Sequence, residues 1–126
     1  MSSAAQRTIF LSIACKEREL GAELTERIQR LGFRVLSALT DSPDDVPLPE
    51  MFRNNVELIR QSDIFVAVLS KYGKDLAAEV GMAYAWGMPR IGLDFTALEE
   101  DVMVYYALEK IVKPSDLEES LRVYLF

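Results

Sequence analysis

The sequence predicts a doubly wound α/β fold, one parallel sheet with helices on both faces, and three observations carry that prediction. Strand-like and helix-like segments alternate about five times along 126 residues, the pattern that pairs strands in parallel through right-handed crossovers. Residues 63–69 (Asp-Ile-Phe-Val-Ala-Val-Leu) are apolar on both faces, as a central parallel strand must be. The length and a 50% hydrophobic, 27% charged composition suit one globular domain with a proper core, spanning residues 1–126.

Residues 8–13 form a short run of β-branched and aromatic side chains and read as a buried strand. Leu20, Leu24, Ile28 and Leu31 then recur at helical spacing, and Gly32 stands where a helix C-terminal glycine belongs. Residues 33–37 read as the second strand. Residues 41–49 hold three prolines and three aspartates and read as a loop. The second helix is expected over 50–61, with Phe52, Val56 and Ile59 on one face. Residues 63–69 are the strongest strand. The third helix is expected over 75–86, closed by Gly87, Met88 and Pro89, and a fourth strand over 90–93. A helix over 100–108, a strand over 110–112 and a last helix opened by Pro114, with Leu117, Leu121 and Leu125 buried, complete a five-stranded, flavodoxin-like sheet. Residues 1–7 read as a flexible N-terminus.

Composition excludes several classes of function. Net charge is −6, which disfavours a broad electrostatic footprint for nucleic acid. The chain lacks histidine, so His-based general bases, Ser-His-Asp triads and His-ligated metals are removed together. The single cysteine, Cys15, forbids an internal disulfide and points to a cytoplasmic setting. No apolar run approaches a membrane span of about 18 residues. No metal and no cofactor is expected.

In doubly wound sheets ligands bind outside the carboxyl ends of the strands. That rule singles out residues 14–17, 40–49, 70–79 and 94–101. Within them Glu79, in the expected first turn of the third helix, has small and apolar neighbours. It is either a dipole-favoured glutamate of a first turn or a poorly hydrated carboxylate beside a cleft, suited to nucleophilic attack or to stabilising an oxocarbenium-like centre. Asp75 either caps the helix or faces the same cleft and holds a proton. Ser12, Ser70 and Gly73 border the same edge. Cys15 reads as a small buried residue, Lys16 as solvated or anion-binding, and Trp86, Phe95, Tyr105 and Tyr106 as core or interface aromatics.

The segments Ile9-Phe10-Leu11-Ser12, Asn54 to Asp63, and Ala78-Glu79-Val80-Gly81-Met82-Ala83-Tyr84-Ala85-Trp86-Gly87-Met88-Pro89 resemble the nucleoside 2-deoxyribosyltransferase family and its nucleotide N-glycosidase relatives. The resemblance implies cleavage or transfer at the N-glycosidic bond of a nucleoside or nucleotide, with Glu79 as nucleophile. Asn55 stands where that family carries an aspartate. Gly73 stands at a second family aspartate, and Asp75 is the nearest carboxylate. Asp101-Val102-Met103 has the spacing of a family Asn-x-Met segment that reaches a neighbouring subunit's pocket, with aspartate in place of asparagine, and the aromatic-rich residues 102–108 suit packing against a partner subunit, so a homo-oligomer is expected. A second resemblance, over Phe10-Leu11-Ser12, residues 62–72 and Glu79, is to TIR domains. It implies NAD cleavage or a non-catalytic nucleotide-binding or interaction module.

Overall fold

The structure, a computed structural model, describes residues 6–125. Most of the expected N-terminal run 1–7 therefore lies outside the described residues. The elements run β1 (Thr8–Ser12), α1 (Arg18–Arg30), β2 (Arg34–Leu36), α2 (Ala38–Asp41), α3 (Leu48–Arg60), β3 (Ile64–Leu69), α4 (Lys74–Ala85), β4 (Arg90–Asp94), α5 (Val102–Tyr105), β5 (Lys110–Val112), a 3-10 turn over Pro114–Asp116, and α6 (Leu117–Arg122). All strands are parallel, in the order β2-β1-β3-β4-β5. The doubly wound, five-stranded expectation therefore stands.

Two apolar layers sandwich the sheet. On one face Phe10, Phe65, Ala67 and Leu69 meet Ile59 of α3 and Leu76, Val80 and Ala83 of α4. On the other, Ile9, Leu11, Val66 and Val68 meet Leu24 and Ile28 of α1 and Leu117 and Leu121 of α6. Phe10 and Phe65 stack with ring centroids 5.7 Å apart. Every residue of β3 is buried, which explains its two-sided apolar pattern. Gly32 ends α1 with φ +106°, a left-handed conformation that glycine takes without a Cβ penalty. Gly92 of β4 serves a different need, because a Cβ there would lie 2.7 Å from Leu108 Cδ1.

Several local expectations are corrected. Helix α3 begins at Leu48 rather than Glu50 and takes Pro49 into its first turn, since proline lacks an N–H that this turn leaves unpaired anyway. The stretch before it is not all loop. Asp41 closes the short α2 by accepting the Ser37 N–H at 2.9 Å. The helix expected over 100–108 shrinks to α5. The chain then leaves the helix so that Leu108 can enter the core and the Glu109 N–H can donate to Arg90 O at 3.1 Å, opening β5. Cys15 is exposed, not buried, because it lies beyond the end of β1. Of the aromatics read as core or interface, Trp86, Phe95 and Tyr106 are exposed and Tyr105 is half-buried, so none belongs to the core; Phe52 of α3 is exposed as well. Arg60 covers the Trp86 ring at 4.8 Å. Leu125 is half-buried, because α6 ends at Arg122.

Arg27 of α1 ties the C-terminal segment to the body. Its Nε and Nη2 donate to Glu118 at 2.7 Å each, and Nη2 also to Pro114 O at 2.8 Å. The Arg27 hydrogen bonds hold the Glu118 carboxyl down at about 2. A carboxyl lowered on folding stabilises above its ordinary range, and that contribution disappears as pH falls through that range toward about 2. Glu118→Gln should therefore cost about 1 kcal/mol at neutral pH, discounted for solvent screening, and almost nothing near the acid end. Denaturation midpoints measured across pH check this. An equal cost at both ends would contradict it.

Candidate active site

The winding direction reverses between β1 and β3, which neighbour each other in the sheet. The carboxyl ends of these two strands open onto a cavity of about 570 Å³. That volume lies within the range of small-molecule sites. Phe10, Leu11 and Ile13 from β1 and its end contribute to its wall, α4 supplies Asp75 and Glu79 with Gly73 just ahead of it, and α3 supplies Met51 and Asn55. A second cavity of about 200 Å³ lies alongside, between Leu48, Phe52 and Val56 of α3 and Ala78 and Met82 of α4. Asn55, Asp75 and Glu79 border both.

Glu79 sits in the second turn of α4, not the first, because the helix starts at Lys74. The helix terminus therefore favours its charge less than the sequence implied. Its Oε1 accepts a hydrogen bond from the buried Ser12 Oγ at 2.6 Å, across the crevice from the end of β1. Burial pushes its pKa up, the Ser12 hydrogen bond opposes that rise, and the charge of Asp75 adds to it. Removing the Ser12 hydroxyl removes the one opposing contribution. Ser12→Ala should therefore raise the Glu79 pKa further, a shift that a carbon-13 NMR titration of the carboxyl would register. An unmoved titration would show that this hydrogen bond does not bias the carboxylate.

Asp75 does not cap α4. Gly73 occupies the N-cap, and no side chain caps the helix. Asp75 instead lies exposed on the cavity rim, facing the field of Glu79. Asn55 is half-buried, and its Oδ1 is enclosed with no hydrogen-bond partner among the described residues. Gly73 borders the cavity with open space where a Cβ would stand.

The remaining candidates are not gathered here. Ser70 donates to Glu17 Oε1 at 3.4 Å and does not border the cavity. Asp101 stands behind the cavity wall and accepts a hydrogen bond from Tyr72, whose phenol is pushed up to about 12, chiefly by burial and then by that bond. Met103 is 83% exposed and lies away from both cavities. Of the four edge segments, 14–17, 40–49 and 70–79 contribute to the cavity and 94–101 does not. Sequence reasoning missed Arg18, Tyr72 and Met51. Arg18 adjoins the marked segment 14–17 and Tyr72 lies inside the marked segment 70–79, so strand position alone would have reached them. Met51 carried no such signal.

A doubly wound sheet with a half-buried carboxylate at its switch-point cavity defines an α/β protein built to hold a small molecule at its carboxyl edge. The sequence model of the nucleoside 2-deoxyribosyltransferase family matches residues 8–112. The chain belongs to that family, and so is an enzyme of glycosyl transfer or hydrolysis acting on nucleosides or their relatives. Of the two resemblances drawn from the sequence, the first is the one established.

Solved structures share the fold. A conserved protein from Enterococcus faecalis V583 superposes with TM-score 0.79 at 18% identity, covering 96% of this chain and all (100%) of that one. The 2-deoxyribosyltransferase of Bacillus psychrosaccharolyticus gives 0.75 at 20% identity, over 88% of this chain and 90% of that one. The CMP N-glycosidase of Clostridium botulinum gives 0.65 at 18% identity, over 94% and 100%. No curated protein matches in sequence. Among the described residues no helix is long and apolar enough to cross a membrane.

Proposed function

We propose that this chain cleaves the N-glycosidic bond of a nucleoside or nucleotide with Glu79 as nucleophile. The observation that carries the proposal is the Ser12–Glu79 hydrogen bond of 2.6 Å, which fixes a sparsely hydrated carboxylate on the cavity wall at the sheet's switch point. Family membership supports the bond class, and the CMP N-glycosidase and 2-deoxyribosyltransferase likenesses support the two possible fates of the sugar.

The Glu79 carboxylate attacks C1′. The C1′–N bond breaks, its electron pair goes to the base nitrogen, and the base takes a proton relayed past Asp75. Water or a second base then attacks C1′ and frees the carboxylate, and the proton it loses leaves past Asp75. Two displacements retain the configuration at C1′. The orphaned Oδ1 of Asn55 accepts a substrate hydroxyl, satisfying an enclosed acceptor. The exposed Val102, Met103 and Tyr106 form a surface for a second copy, through which Asp101 and Met103 would reach the partner's pocket.

A mechanism-based trap tests the core of this. A nucleoside carrying fluorine at C2′ slows the second step, and mass spectrometry should find the glycosyl adduct on the peptide containing Glu79. Base release with an adduct elsewhere would remove Glu79 from the role. Binding of nucleosides without base release would defeat the proposed cleavage by Glu79.

A further inference from the structure

Tyr72 follows β3 at the edge of the larger cavity, half-buried and packed against the core. Its hydroxyl donates to Asp101, which borders neither cavity. The hydroxyl is thus spent on a residue behind the wall, and what Tyr72 offers the cavity is its ring. Phe10 and Tyr72 are the aromatic side chains lining this cavity, and Phe10 is fully buried. Tyr72 is therefore the aromatic surface that a ligand there can reach.

The support behind that ring is itself anchored. Thr96, in the segment after β4, donates its N–H to Leu69 O at 2.7 Å and its hydroxyl to the same oxygen at 3.1 Å, which fastens the segment to the end of β3. The Asp94 carboxylate accepts the Ala97 N–H at 3.0 Å. The Asp101 carbonyl accepts the N–H groups of Val104 and Tyr105 as α5 begins. Residues 94–101, which line no cavity, therefore brace residues 70–79, which do. Burial, and then the bond to Asp101, push the Tyr72 phenol up to about 12, so the donor keeps its proton through the neutral range.

We infer that Tyr72 is the surface on which the substrate's base stacks, and that Asp101 is a positioning residue that holds its ring in place. This rests on the glycosidic function proposed above and says where in that same site the base lies. Every nucleobase has a π face that an aromatic ring can stack on, whatever its hydrogen-bonding edge. A ring fixed in advance loses less freedom on binding than a free one. Asp75, which passes the leaving base its proton, lies three residues further along the same edge. Gly73 stands between the two and adds no side chain. A base at this end meets the ring and the carboxylate together, and its sugar lies toward Glu79 and Asn55.

The test measures base release by the full chain from the common nucleosides and their 5′-monophosphates. Binding is read by calorimetry in a Glu79→Gln background, so that the probe is not consumed. Tyr72→Leu should weaken binding about tenfold or more. It should raise KM alike and leave kcat within about twofold, since the ring touches no reacting atom. Tyr72→Phe keeps the ring, loses the tether and should weaken binding about threefold. It leaves Asp101 itself unchanged, which separates the tether from any contact of Asp101 with a second copy. Asp101→Leu should match it, whereas Asp101→Asn, whose carbonyl accepts the same O–H, should bind as the parent does. Binding unmoved in Tyr72→Leu, a loss in kcat rather than in KM, or an Asp101→Asn variant as weak as Asp101→Leu would overturn the inference and leave the glycosidic function standing. The expected binding changes without base release from any probe would support the stacking surface and defeat the glycosidic function. Failure of every probe to bind would defeat both.

Discussion

Glu79→Gln should reduce base release by about a thousandfold or more while leaving a folded protein. The amide keeps the shape and retains a carbonyl that can accept the Ser12 hydroxyl, so the Ser12 contact at 2.6 Å survives in form. What is lost is the negative charge that attacks C1′. The same variant should be more stable than the parent at neutral pH. Burial raises the Glu79 pKa, so the native state holds that proton more tightly than the unfolded chain does. Stability of the parent therefore falls as pH rises from the ordinary carboxylate range through the raised value. Glutamine carries no such penalty, and its advantage should vanish toward acid pH, where the parent's carboxyl is protonated in both states. Denaturant titrations at neutral and acid pH, beside a base-release assay, check both halves. A variant that is inactive yet less stable at neutral pH would point to a structural part for Glu79 instead. A variant that keeps its activity would end the nucleophile assignment.

Phe65→Ala should cost about 3–5 kcal/mol, the range for emptying a buried aromatic site. Phe65 is fully buried in the central strand and stacks on Phe10 at 5.7 Å. Against a total stability of about 5–15 kcal/mol for an ordinary domain, that loss approaches unfolding. The effect should also reach the site, because Phe10 borders the cavity. Loosening its stacking partner frees that part of the cavity wall. Equilibrium denaturation with urea gives the number. A cost under about 1 kcal/mol would mean that the surrounding Ile59, Leu76 and Val80 collapse into the space.

The strands were legible because each is short, apolar and bounded by polar or turn residues, and β3 most clearly because it is buried on both faces. Helix positions were legible where apolar residues recur at helical spacing, as in α1. The misjudged boundaries share one cause. Whether Pro49 sits inside a first turn depends on where α3 packs on the sheet, and whether residues 106–108 leave a helix early depends on what Leu108 and Glu109 find in the core and on β4. Exposure of the aromatics was equally hidden. Phe52 and Trp86 look like core residues in a linear chain, and only the placement of α3 and α4 turns them outward.

The sequence by itself determined the class of fold, the edge of the sheet at which the cavity opens, the place of Glu79 close to that edge, and the absence of histidine from the chain. Those follow from local periodicity, chain order and composition, which need no distant contact. The tertiary structure decided what a linear reading had no means to see. It brought Ser12 onto a carboxylate 67 positions away, moved Asp101 behind Tyr72 and Ser70 toward Glu17, and gathered Asp44 and Asp75 with Lys16, Arg18 and Lys71 on one cavity. The physical reason is that charge, hydration and hydrogen bonding at a site are set by neighbours in space, and crossover connections make neighbours of residues far apart in the chain.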